Sequence, residues 1–180
     1  MKTKNIVTSG ICLALCQALP FVTGQIPEIG NMLCPMHLPV LLCGLVCGRG
    51  YGALVGFVAP LLRFVLFGRP MLFPTGVSMC FELAAYGLII GLLYRRLHTR
   101  VWHIYTSLIG AMIGGRFVWG LVRICLATGF GVEFGWQIFV TEGFVTAVPG
   151  MISQIIVIPI LVVALSRAGI RIETRDMETA

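Results

Sequence analysis

Charge is scarce in this chain of 180 residues: 11% of positions are Asp, Glu, Lys or Arg, and no aspartate occurs before Asp176. Without paired aspartates, a His-Glu-x-x-His run or a Ser/His couple in its apolar segments, the chain has no constellation for intramembrane catalysis and is expected not to be an enzyme. His98 and His103 do not supply one, since they fall beside Arg95, Arg96 and Arg100 at a segment junction. A Gly-x-x-x-x-Gly-Lys-Ser/Thr phosphate loop is also missing, so any ATP chemistry has to belong to another chain. Nor does a short apolar stretch give way to a cleavage site and a polar mature chain; the first apolar segment is expected to stay in place as a span. Linkers, low-complexity tracts and polar domains are lacking as well, which leaves residues 1–180 as one expected membrane domain with a short charged tail from Ile170.

What is present is apolar. Hydrophobic residues make up 58% of the chain and the mean hydropathy is +0.97, more than a water-facing surface tolerates, so a lipid bilayer is the expected solvent. Six of the seven cysteines, Cys12, Cys16, Cys43, Cys47, Cys80 and Cys125, lie in apolar runs, where a thiol packs as a small polarisable hydrophobe. Cys34-Pro-Met-His37 offers two ligand types without a second pair, so neither a metal site nor a cofactor is expected.

A hydrocarbon core of about 30 Å takes about 20 apolar residues per helix. Runs bounded by charge, Gly and Pro predict six spans, at roughly 5–22, 35–48, 51–67, 75–95, 101–126 and 138–166, the second and third being short and joined at Gly48-Arg49-Gly50 as a two-helix hairpin, or else as a re-entrant loop that leaves four full spans plus the hairpin. Six crossings put Lys2, Lys4, Arg49, Arg95, Arg96, Arg100, Arg167, Arg171 and Arg175 on one side and Arg69 on the other. Lys and Arg concentrate on the cytoplasmic side, so both termini are expected inside. The formal net charge of +6 then follows from topology, and no nucleic-acid partner is needed to explain it.

Five ionisable residues fall within the expected spans: Arg63, Glu82, Arg116, Arg123 and Glu142. Each is costly in hydrocarbon and marks a cavity or a partner. At about 1.5 Å per residue, all five come out in the outer half of the bilayer. Helical phase groups them further. Arg116, Trp119 and Arg123 share one face of the fifth span, with Gly110 and Gly114 roughly opposite; Ser78, Glu82 and Tyr86 form a stripe on the fourth, and Glu142, Thr146, Pro149 and Ser153 one on the sixth. Turned toward one another, the three stripes make a pocket that opens outward. The alternative is that the charges staple the bundle as Arg–Glu bridges. Three arginines against two glutamates leave one positive charge over, which a carboxylate-bearing solute would neutralise.

Two blocks, Asn31-Met-Leu-Cys-Pro-Met-His-Leu-Pro-Val-Leu-Leu-Cys-Gly44 and Tyr51-Gly-Ala-Leu-Val-Gly-Phe-Val-Ala-Pro60, together with size and span count, resemble the substrate-binding S-component of an energy-coupling factor (ECF) vitamin transporter. That resemblance implies capture of a vitamin outside the plasma membrane of a prokaryote, association with a transmembrane coupling subunit and two cytoplasmic ATPases, and release inside. It implies a pocket formed by the last three helices with outer loops, which adds Asn31 and His37 to the candidate site. It also implies a docking motif for the coupling subunit on the first helix. Ala14-Leu-Cys-Gln-Ala18 matches that motif, and Gly10 extends it by one turn. Small residues at this spacing flatten one side of a helix and allow close approach.

The resemblance favours pantothenate as substrate, with a pyridoxine-like solute or a folate left open. A folate would need more stacking surface than Trp119, Tyr86 and the nearby phenylalanines obviously supply. A self-contained secondary transporter or a channel is the rival class, and half-to-half similarity, which would support it, is not detected.

Overall fold

The computed structural model describes residues 2–22, 34–97 and 101–167, and among them there is no strand. The helices are α1 (Lys2–Val22), α2 (His37–Cys47), α3 (Arg49–Phe67), α4 (Val77–Arg96), α5 (Val101–Phe130), α6 (Trp136–Val140) and α7 (Val148–Arg167). Irregular wide turns at Leu72–Gly76 and Thr141–Val145 lead into α4 and out of α6. Five runs are long and apolar enough to cross a bilayer: Thr3–Phe21, Arg49–Phe67, Leu72–Arg96, Trp102–Phe130 and Trp136–Leu165. The chain is an all-α membrane protein.

The expected second span is the exception. Cys34 adopts a left-handed φ of 46°, and the His37 amide closes a turn by donating to the Cys34 carbonyl at 3.0 Å, so helix begins only at His37. Gly48, at φ 89°, then reverses the chain into α3. The 11 residues of α2 rise about 16 Å, half of the hydrocarbon thickness. Joined to α3 at Gly48, α2 extends from that end to about mid-depth, and His37 sits at its deep tip.

Packing centres on α4. Gly44 of α2 and Gly52 and Gly56 of α3 lie against its backbone at Gly87 and Leu83, so closely that a methyl group at Gly44 would come within 2.7 Å of the Gly87 carbonyl. On its other side α5 runs antiparallel, with Gly110 against Leu93, Gly114 against Ile89 and Gly115 against the Tyr86 ring. Arg116 reaches the same helix, so α5 does not divide into a polar face and an opposite glycine face; its long side chain spans the difference. Large apolar side chains such as Leu54, Val65, Leu121, Ile124, Ile156 and Ile160 are exposed, as lipid-facing positions should be.

The first helix turns polar and thiol side chains inward and leaves a stripe of small residues outside. Ser9, Cys12, Cys16 and Gln17 are buried toward α2 and α3, whereas Gly10, Ala14 and Ala18 are exposed. The Cys16 thiol donates to the Met36 carbonyl at 3.6 Å and the Cys43 thiol to the Ser9 hydroxyl at 3.7 Å, so these two cysteines are packing residues of the seam between α1 and α2.

Candidate functional site

The most buried charges meet where α2, α4 and α5 converge. Glu82, 2% exposed, carries its carboxylate 2.8 Å from Arg116 Nη1 and 3.5 Å from His37 Nε2. Arg116 Nη2 donates to the Cys34 sulfur at 3.8 Å, which ties α5 to the turn before α2. The His37 ring stands perpendicular to the Tyr86 ring with centroids 4.9 Å apart. Four of the sequence-predicted residues, His37, Glu82, Tyr86 and Arg116, are thus one constellation, and Cys34 joins it. The left-handed turn that aims Cys34 inward has no signature in a sequence without a glycine at that position.

Two turns further along α5, Arg123 lies over the Trp119 ring at 5.5 Å from its centroid and approaches Glu142 at 3.5 Å. The Glu142 side chain is 53% exposed, so this is a loose rim contact, whereas Arg116–Glu82 is sealed. Trp119 stacks on Phe139 at 6.2 Å and meets Phe134 edge-on at 5.7 Å; Trp136 and Phe144 surround Phe139 in turn. Phe134 and Trp136 fall between the spans expected at 101–126 and 138–166, so helical phase assigns them to no face. The density of aromatics at Phe130, Phe134, Trp136, Phe139 and Phe144 was the available signal.

Arg63 goes elsewhere. Its Nη1 donates to the Gln17 carbonyl at 3.1 Å, and its guanidinium lies 5.8 and 5.4 Å from the Phe21 and Phe67 ring centroids. It therefore clasps α1 to α3, and the expected surplus positive charge is not pooled with the other four ions. The phase expected for the last span is also displaced. Thr146 bonds back to Thr141 five residues earlier, and one such wide turn rotates everything after it, so Thr146, Pro149 and Ser153 are only partly buried, while Ala147, Gly150, Gln154 and Ile158 form the inner face. Gln154, 2% exposed, was missed for that reason. Asn31 lies outside the described residues.

The constellation is rich in donors that have nothing to bond. Buried and without an aligned hydrogen-bond partner are Arg116 Nε, Arg123 Nε and the His37 ring nitrogens, of which Nε2 still faces the Glu82 carboxylate at 3.5 Å, and the Glu82 Oε1 contact to Arg116 is an ion pair without hydrogen-bond alignment. Each such group costs about 1–3 kcal/mol when sealed from water. Native interiors keep few of them. A ligand with acceptor oxygens placed among them would relieve that cost. Among the described residues no group of three or more His, Cys, Asp or Glu is arranged to hold a metal ion.

Helices of membrane length with sealed polar groups between them define a multi-pass membrane protein. The chain belongs to the family described as ECF transporter, substrate-specific component, which matches it over residues 4–171. No curated protein and no solved structure matches it. It is thus the substrate-specific membrane subunit of an ECF importer, a family of transport components that work with a coupling subunit and ATPases.

Proposed function

We propose that this subunit captures a small, water-soluble, carboxylate-bearing vitamin at the outer face of a prokaryotic plasma membrane, with pantothenate the favoured substrate. The carrying observation is the set of buried nitrogens without aligned partners on Arg116, Arg123 and His37, set about one buried carboxylate, Glu82, that already has Arg116 as partner, with the half-exposed Glu142 beside Arg123. A carboxylate accepts several such hydrogen bonds at once and gains most where water is excluded. Glu82 holds Arg116 in place, and Trp119 backs Arg123. Glu142 sits at the rim, where a bound carboxylate can displace it from Arg123, and Asn31 is the further site residue that the family resemblance implies.

Outward orientation is supported by charge. Lys4, Arg49, Arg95, Arg96 and Arg167 lie at one end of the helices and Arg69 at the other, so the positive end, with both termini, faces the cytoplasm. The exposed stripe of Gly10, Ala14 and Ala18 is the proposed seat of the coupling subunit, and the two ATPases attach through that subunit. The aromatic wall around Phe139 favours a second reading, a folate or a pyridoxine-like ring stacked on Trp119, with its acidic or polar end at Arg116. Mass spectrometry of the small molecule that co-purifies with the subunit tests the proposal. A monocarboxylic acid is expected, and a solute without a carboxylate would contradict it.

A further inference from the structure

The polar constellation has a regular place in the bundle. An apolar cluster beneath it contains Leu41 on α2, Tyr86 on α4, Met112 on α5 and Ile158 on α7, all buried. One helical turn outward from each of these comes a polar residue. On α2 and α4, which run inward, four residues earlier are His37 and Glu82; on α5, which runs outward, four residues later is Arg116. The contacts of 3.5 and 2.8 Å among these three show that they share one level. The same step on α7, which runs inward from the wide turn beside Trp119, gives Gln154. Gln154 is as buried as Glu82, and its Oε1 has no hydrogen-bond partner. Its neighbours on the same face of α7 are small or apolar: Ala147, Gly150 and Ile158.

We infer that Gln154 is a specificity-determining residue of the solute site: from α7 it accepts a hydrogen bond from a hydroxyl or amide N–H of the solute at the level of His37, Glu82 and Arg116. This rests on the carboxylate reading above and narrows it to acids that carry a hydrogen-bond donor along the chain away from the carboxylate. A polar layer in which α5 supplies donors and α7 an acceptor grips such a molecule at both ends. A purely aliphatic acid of the same length would leave Gln154 Oε1 sealed and unpaired, and would be rejected for that reason.

The test uses the purified full chain in nanodiscs and two probes: pantothenate, which has hydroxyl and amide donors, and monomethyl adipate, which has the carboxylate and no donor. Wild type should prefer pantothenate. Gln154→Met should weaken pantothenate binding roughly tenfold or more while leaving monomethyl adipate nearly unchanged, so that the preference between them collapses. Gln154→Asn, which keeps the amide and withdraws it by one methylene, should show the same selective loss and covers the case in which the Met variant fails to fold. An equal loss for both acids would make Gln154 a structural residue, and an unchanged pantothenate affinity would remove it from the site; either result overturns the inference and leaves the carboxylate reading standing. Failure of wild type to bind either acid, together with a co-purifying solute that has no carboxylate, would overturn both.

Discussion

The Ala14→Trp substitution is expected to abolish ATP-driven accumulation of the solute while the isolated subunit binds it as before. The expectation follows from exposure. Gly10, Ala14 and Ala18 are exposed and stand four residues apart, while Ile6, Val7, Ile11, Leu15 and Phe21 around them are large and exposed. Lipid alone would be met as well by large side chains along the whole face. A flat stripe instead allows another helix to approach to the 8–10 Å typical of packed helix pairs, and association within a bilayer depends on such close contact. An added Cβ at Gly10 meets nothing within 4 Å, so the space belongs to no other part of the described chain. An indole at position 14 fills it without reaching Glu82 or Arg116. Uptake in vesicles containing the coupling subunit and ATPases, paired with equilibrium binding to the subunit alone, is the measurement. Loss of binding would mean that the stripe supports the fold.

The second large effect concerns the arginines, where the two ion pairs call for different variants. Arg116 is sealed against Glu82, and removing it alone strands a buried carboxylate at about 3–5 kcal/mol, enough to confuse misfolding with lost binding. The Arg116→Met and Glu82→Leu double substitution removes both charges together. It should give a folded protein whose affinity has fallen by two powers of ten, about 2.8 kcal/mol. Arg123 pairs only with the half-exposed Glu142, so Arg123→Ala should lower affinity by about one power of ten, about 1.4 kcal/mol, with little change in Tm. Titration calorimetry alongside thermal unfolding separates the two quantities. Unchanged affinity in both variants would remove the arginines from the site.

Regular helix made much of this legible in the sequence. The stripe of Ser78, Glu82 and Tyr86 is buried along its whole length, and Arg116, Trp119 and Arg123 do share a face, because α4 and α5 keep the 3.6-residue period through those positions. Irregular backbone hid the rest. The left-handed turn at Cys34 shortens α2 and puts His37 at mid-depth, and no charge or proline pattern states its sign. The wide turn at Thr141–Val145 rotates α7, so Gln154 replaces the expected Ser153 on the inner face. Arg63 shows a different limit. Its position in an apolar run correctly indicated a partner, but a side chain that long has a choice of partners, and the Gln17 carbonyl with two phenylalanine rings satisfied it before any glutamate did. The aromatic wall, for its part, was visible as composition and hidden as geometry, because Phe134 and Phe139 come to Trp119 only when α6 folds back over the end of α5.

Substrate charge is the point on which the proposed site stands. Binding of pantothenate and of pantothenol, in which a hydroxymethyl group replaces the carboxylate, to the same purified preparation isolates that charge. The donor-rich cluster predicts that the acid binds at least about a hundredfold more tightly than the alcohol. Equal affinities for the two would contradict it.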